Sequence, residues 1–448
     1  MRFTPWATRL VLTLSLSATA FLTACGGGGS SSSSTQIRLL NATQSYANLD
    51  LVVNDKTINS KVGQTTVGSY GGVDTANTAT QVQTSDVGNS VAALAPSLAG
   101  DSSYTLIAYG FAGAVRTSLL QEAQDAPDSG KVKVLALNLA PDAGQLDIYI
   151  TTADTALVDA TPFSTGLVGG AGSGYIQLNA GTYRVRVTGY NNKTDLRLDI
   201  PAVTLDSASV NSLILTSTSS GTLVNGYKLI QKGAVTSYPN ALSRVRMVNG
   251  LAGGTYASST VQGKTLLLNS PSPNRADYIS LPAGASNLVV NVNGTVQNFA
   301  APNLVAGTDY TLLLYGTPTS PLFNVLVDDN RLPTTSGSVK IRLINALSGN
   351  NPLASLVVDY TTLASNVLTG SSSAPAMISS TTGSTVQITS PLLANPLYNP
   401  GTNGSTTSLT PLTANGVYTA LIMGDSTVNT GTTPPTMPGA TGMFIKDR

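Results

Sequence analysis

Ile37-Arg38-Leu39-Leu40-Asn41-Ala42 returns later in the chain as Val245-Arg246-Met247-Val248-Asn249-Gly250 and again as Ile341-Arg342-Leu343-Ile344-Asn345-Ala346. A looser copy is Val134-Leu135-Ala136-Leu137-Asn138-Leu139. A second motif follows: Ala99-Gly100 leads to Tyr104-Thr105-Leu106, Ala306-Gly307 to Tyr310-Thr311-Leu312, and Asn415-Gly416 to Tyr418-Thr419-Ala420. In the second copy Asn211-Ser212-Leu213-Ile214 occupies that place without a tyrosine. Two motifs recurring in the same order define four repeats. Their asparagines, Asn41, Asn138, Asn249 and Asn345, lie about 100 residues apart, too far for a solenoid and right for a seven-stranded sandwich domain.

Between the motifs the sequence reads as strands. Tyr183-Arg184-Val185-Arg186-Val187-Thr188 alternates apolar and polar, as a half-buried strand does. That pattern sends Tyr183, Val185 and Val187 to a core and Arg184 and Arg186 to water. Leu146-Asp147-Ile148-Tyr149-Ile150 and Leu196-Arg197-Leu198-Asp199-Ile200 read alike. Pro141-Asp142-Ala143-Gly144, Asn179-Ala180-Gly181 and Asn191-Asn192 supply turns. Glu122 is the one glutamate among 22 acids, so the helix-favouring acid is almost missing. At most one short helical turn is expected, over 119–126. The expectation is an all-β chain of tandem immunoglobulin-like sandwiches, spanning 36–130, 131–240, 241–337 and 338–448. Short polar joints at 125–130, 233–241 and 333–338 suggest neighbours that touch.

The chain opens with Arg2 and Arg9, then an apolar run from Leu10 to Leu22 that is too short to span a bilayer. This reads as a signal peptide, residues 1–24. Leu22-Thr23-Ala24-Cys25 resembles the lipobox of bacterial lipoproteins. The resemblance implies cleavage before Cys25 and acylation of that cysteine. Each buried methylene contributes about 0.8 kcal/mol, so two or more acyl chains anchor stably. Gly26, where that family's inner-membrane proteins often carry Asp, points to the outer membrane. Residues 25–35 form the acylated cysteine and a Gly/Ser tether.

Val132 to Ile150 resembles the opening of the DUF4397 family, through Pro141-Asp142-Ala143 and Leu146-Asp147-Ile148-Tyr149-Ile150. Leu178-Asn179-Ala180-Gly181-Thr182-Tyr183 resembles that family's Pro-Ala-Gly-Thr-Tyr strand start, as does Leu281-Pro282-Ala283-Gly284. The second repeat carries the best match. The resemblance implies a bacterial envelope β-sandwich and brings no catalytic residues.

The composition excludes much chemistry. There is no histidine, and Cys25 is the one cysteine. Histidine-based nucleophilic catalysis and the usual zinc, copper, haem and iron–sulfur ligands are therefore missing. Asp328-Asp329 is the one adjacent acidic pair; it is a candidate for calcium, set against a solvated turn neutralised by Arg331. Asp142 and Asp147 are the pair a glycosidase would need, set against a turn and a solvent-facing strand position. Gly169 to Gly174 fits no phosphate-binding or nucleophile motif and reads as a flexible loop. Tyr104, Tyr310 and Tyr418 read as core residues of tyrosine-corner type. Tyr190, Tyr227 and Tyr238 are freer to meet a ligand. Asn41, Asn192, Asn293 and Asn403 begin Asn-x-Ser/Thr triplets and read as turn chemistry.

The expected function is a non-enzymatic envelope lipoprotein, a structural or protein-interaction array. It would need no cofactor, be held to the membrane through lipid on Cys25, and meet an envelope protein or glycan; no basic patch suits nucleic acid. The alternatives are a glycan- or peptidoglycan-binding lipoprotein and, disfavoured, a histidine-free hydrolase.

Overall fold

The computed structural model describes residues 35–349, 352–399 and 409–448. The signal peptide, the lipobox Leu22-Thr23-Ala24-Cys25, the tether up to residue 34 and Asn403 lie outside them. Among the described residues there is no α-helix, only strands and two single 3-10 turns at Pro141–Ala143 and Leu157–Asp159. None has a helix long and apolar enough to cross a membrane.

Each repeat builds two facing sheets, to which repeats three and four each add a two-stranded ribbon, Gly284–Ala285 with Asn303–Leu304 and Thr381–Ser384 with Thr410–Leu412. In repeat one, Gln36–Thr43 and Ser103–Phe111 lie at the centre of the first sheet, flanked by Gly71–Gly72 and Ala114–Gln121. The second sheet runs Lys56–Gly63, Asn48–Val53, Thr80–Thr84, Ser90–Leu94. Leu39 and Leu106 from one sheet meet Leu51 and Val82 from the other in a closed core. Repeats two, three and four each close a core of their own in the same manner.

The two sequence motifs are the two central strands, and they pair in parallel. Ile37 stands beside Tyr104, Val134 beside Asn211, Val245 beside Tyr310, and Ile341 beside Tyr418. Parallel neighbours need a long crossover, and here that crossover contains the entire second sheet. This is why the motifs are separated by some sixty to seventy residues in the three repeats that carry the tyrosine.

The motif strand also explains its own lack of alternation. Gln36–Thr43 is buried from Ile37 to Thr43. Ile37 and Leu39 enter the repeat's own core, whereas Leu40 and Ala42 enter a second apolar cluster with Ile107, Leu135, Leu137 and Ile214. A strand covered on both faces reads as a nearly continuous apolar run. The second cluster is a seam between repeats one and two. Repeats three and four have the equivalent, with Val248 and Leu313 against Ile344, Ala346, Leu421 and Met423. Gly250 lies at the closest approach: a Cβ there would sit 3.2 Å from those of Ala346 and Met423. The described residues correspondingly divide into two compact units, one reaching to 218 and including 224–240, the other made of 219–223 and the part of the chain from 241 on.

Several local expectations are corrected. Residues 119–126 make no helical turn; Leu119 and Leu120 belong to the strand Ala114–Gln121, paired with Leu106 and Thr105. Arg186 does not face water: it is buried and donates to Thr151 Oγ1 and Thr155 O in the loop that covers this sheet face. Its guanidinium is held below the usual range by burial and by neighbouring Arg184. Arg184 keeps a partly exposed pair with Asp199. The glycine-rich stretch is tied down, with Gly170 N–H donating to Asn138 O and Asn138 N–H to Ala171 O, and Gly172–Asn179 continuing as a strand. In the joint 233–241, Val235–Tyr238 adds a fifth strand to the first sheet of repeat two.

Candidate functional site

The recurring asparagine holds the two sheets of each repeat together. Asn41 Nδ2 donates to Tyr46 O and Val62 O, and its Oδ1 accepts from Thr43 N–H. Asn138 Nδ2 donates to Gly144 O and Leu167 O, Asn249 to Thr255 O and Ser270 O, and Asn345 to Pro352 O and Val367 O. In these three the side-chain oxygen accepts the N–H two residues on. All four are fully buried, and each spends both donors on carbonyls of the loop and the facing sheet. An amide suits this position because it supplies donors and an acceptor without a charge to desolvate.

The motif tyrosines are equally fixed. Tyr104, Tyr310 and Tyr418 are buried, and each hydroxyl accepts the backbone N–H five residues upstream, from Ala99, Val305 and Thr413, at 2.9, 3.0 and 2.9 Å.

The motif arginine lies on the seam face. Arg38 Nε donates to Thr105 Oγ1 at 2.9 Å, Thr105 donates to Glu122, and Arg38 Nη2 pairs with Glu122 at 3.0 Å. Arg38 Nη1 crosses the seam to Gly233 O at 2.7 Å, and Lys232 N–H of repeat two donates to Glu122. In the other unit the same arrangement of arginine, threonine and carboxylate recurs with aspartate in place of glutamate, and the partners are exchanged. Arg246 Nε donates to Thr311 Oγ1 and Thr311 Oγ1 to Asp328; Arg342 Nε donates to Thr419 Oγ1 and Thr419 Oγ1 to Asp447. The ion pairs then run between repeats, Arg246 to Asp447 at 2.5 Å and Arg342 to Asp328 at 2.6 Å. Contact of one surface with its equivalent is the mark of an isologous interface. Repeat two has Leu135 at the arginine position, inside the apolar seam.

Tyr278 covers the second network. Its hydroxyl donates to Asp328, and the Arg244 and Arg246 guanidinium groups lie 4.4 and 4.6 Å from its ring centroid. Burial, then the Asp328 charge, pushes this hydroxyl up, so it remains a donor. Tyr70 takes the matching place over Arg38, at 4.4 Å.

The acidic candidates resolve individually. Asp328 is not in a solvated turn; it is buried at the seam in the grip of Arg342, Thr311 and Tyr278. Asp329 pairs with Arg331 and Lys340 at 2.8 and 3.0 Å. Burial alone would raise its carboxyl, but hydrogen bonding from Arg331 and the Lys340 and Arg331 charges outweigh that and hold it at about 2. Cations therefore occupy both carboxylates considered for calcium, and no group of three metal-ligating side chains occurs among the described residues. Asp147 is likewise not solvent-facing: it is buried and accepts from Thr165 Oγ1, Gly166 N–H and Asn191 N–H. Asp142 meets Ser217 Oγ from its own turn. Of the freer tyrosines, Tyr227 is buried in the seam and only Tyr190 is largely exposed. The inter-repeat role of the arginine was missed in the sequence, although its recurrence in three motifs was the available signal.

Two solved structures similar to this chain are a candidate cell adhesion protein from Bacteroides uniformis and the tip fimbrial protein Mfa3 from Porphyromonas gingivalis. The first is 13% identical, covers 45% of this chain and 99% of its own, and has a TM-score of 0.20. The second is 9% identical, covers 44% and 99%, and has the same TM-score. Superposition this loose carries no functional argument. No curated protein matches the chain. The family model of a domain of unknown function, DUF4397, matches residues 35–149 and 243–354. Each matched stretch starts at the motif strand of repeat one or three, crosses the seam and ends in the opening strands of the next repeat. The stretch Val132 to Tyr149 lies inside the first match. With just over half of its residues matched, in two copies that both begin on the recurring Arg–Asn strand, the chain belongs to the DUF4397 family.

Proposed function

We propose that this protein is a non-enzymatic cell-envelope lipoprotein, a tethered array of sandwich domains bounded at 36–130, 131–240, 241–337 and 338–448. Lipid on Cys25 anchors it to the outer membrane, and the Gly/Ser tether that follows sets the folded repeats off from the lipid surface. The observation that carries the reading is where the recurring polar residues are spent. The motif asparagines, tyrosines and arginines are buried in sheet-to-sheet and repeat-to-repeat bonds, which favours a load-bearing or displaying role over catalysis. The absence of histidine supports the same reading.

The test is mass spectrometry of the N-terminal peptide from the native host, together with fractionation of its envelope. The expected peptide begins at acylated Cys25, the protein sediments with the outer membrane, and Cys25→Ala moves it to the soluble fraction. An unacylated wild-type N-terminus, or a Cys25→Ala variant that remains on the membrane, overturns the anchoring. A pull-down of the lipidated protein from the envelope then tests the display role.

A further inference from the structure

Repeat one departs from its three sisters at one end of its second sheet. In every repeat a side chain on the central strand of that sheet accepts the backbone N–H of a bulged residue in the left-handed region. The pairs are Asp50 with Lys61, Asp147 with Gly166, Ser258 with Asn269, and Ser355 with Asn366. The bulged residues have φ of 53°, 62°, 43° and 54°. Glycine and asparagine tolerate this conformation; lysine does not favour it. Only repeat one places a long cationic side chain there.

The neighbouring hairpin departs too. Repeats two and three turn on two residues, Tyr190-Asn191 and Asn293-Gly294. Those turns fold back onto the central strand's start, Tyr190 N–H to Gln145 O and Asn293 N–H to Tyr256 O. In repeat one the strands Thr80–Thr84 and Ser90–Leu94 are joined by the longer loop Ser85 to Asn89, tied by Ser85 Oγ to Asp50. A cleft of about 540 Å³ opens between this loop and the central strand, lined by Tyr46, Asn48, Lys61, Ser85 and Asp86 among others. That volume falls in the range of small-ligand sites. Among the described residues the Lys61 ammonium has no ion pair.

We propose that this cleft is a saccharide subsite. Its walls combine an ammonium donor, a carboxylate acceptor, an amide and hydroxyls beside the accessible edge of Tyr46, whose ring otherwise packs on the repeat's core, a mixture that pairs with adjacent sugar hydroxyls. A strained lysine kept where sister repeats use glycine or asparagine fits a conformation retained for a ligand.

Saturation-transfer NMR of the full chain with chitotetraose and with maltotetraose tests this. At least one sugar should bind, and replacing Ser85–Asn89 by the Asn-Gly turn of repeat three should weaken it at least tenfold. Lys61→Asn, which keeps a residue suited to the bulge, should weaken it at least threefold with thermal unfolding no lower than that of the parent chain. Contact with neither sugar, or undiminished binding after both changes, overturns the proposal.

Discussion

Arg342 and Asp328 stand 2.6 Å apart although they come from different repeats, and both are buried. Arg246 and Asp447 return the bridge in the opposite direction. Removing one member of a buried pair strands its partner in a low-dielectric setting, which costs about 3–5 kcal/mol. Arg342→Met should lower the urea-unfolding stability of the C-terminal unit by that much. Arg342→Met combined with Asp328→Leu should recover part of it, because no lone charge remains although the Thr311 and Tyr278 hydroxyls lose their acceptor.

Acid should weaken the same unit in a defined window. The Asp329 carboxyl lies at about 2 when folded, below its unfolded value near 4. Its contribution is complete above the unfolded value and is lost as pH falls through about 2. Asp329→Asn should flatten the decline in stability between about pH 4 and 2, measured by unfolding at fixed pH steps.

The buried asparagines should be far less tolerant than their surface-like chemistry suggests. Asn138→Ala strands Gly144 O and Leu167 O and frees Ala140 N–H. A cost of about 3 kcal/mol or more is expected, since each of the three buried groups left without a partner costs about 1–3 kcal/mol. Tyr310→Phe, which removes one hydrogen bond and keeps the ring, should cost only about 1 kcal/mol. Denaturant titration distinguishes the two.

Lys61→Gly should make repeat one more stable by about 1 kcal/mol, because it relieves a left-handed lysine. The melting temperature reads this directly.

Truncation should follow the seams. A chain ending at Asn240 keeps both sides of the first seam and should remain folded and monomeric by sedimentation. A chain ending at Gly130 uncovers Leu40, Ala42, Ile107 and Tyr109, an apolar surface that should aggregate.

Much of this was legible beforehand, for identifiable reasons. Asn41 and its three counterparts marked the repeats because only an uncharged amide meets that set of carbonyls. The strands around Tyr183 and Leu146 followed from alternation. Alternation alone, however, does not tell parallel from antiparallel neighbours, so the pairing of Ile37 with Tyr104 was hidden. It also assigns every polar strand residue to water. That rule failed at Arg186 and Asp147, where a loop supplies the partner, and the reading of Asp328 as a solvated turn failed because a neighbouring repeat supplies Arg342. Partners distant in sequence, such as Asp447 for Arg246, leave no local trace. The cleft beside Lys61 was missed because its signal is a difference between repeats, visible only once their strands are aligned in space.

The exchanged bridges have a consequence for chain order. Because repeats three and four offer one another equivalent halves of a lock, a permuted chain with their order reversed would still find every charge its opposite. Repeats one and two offer no equivalent halves: Leu135 stands where Arg38 stands on the other side, and the Arg38–Glu122 pair closes within repeat one, so the first pair has a distinct left and right.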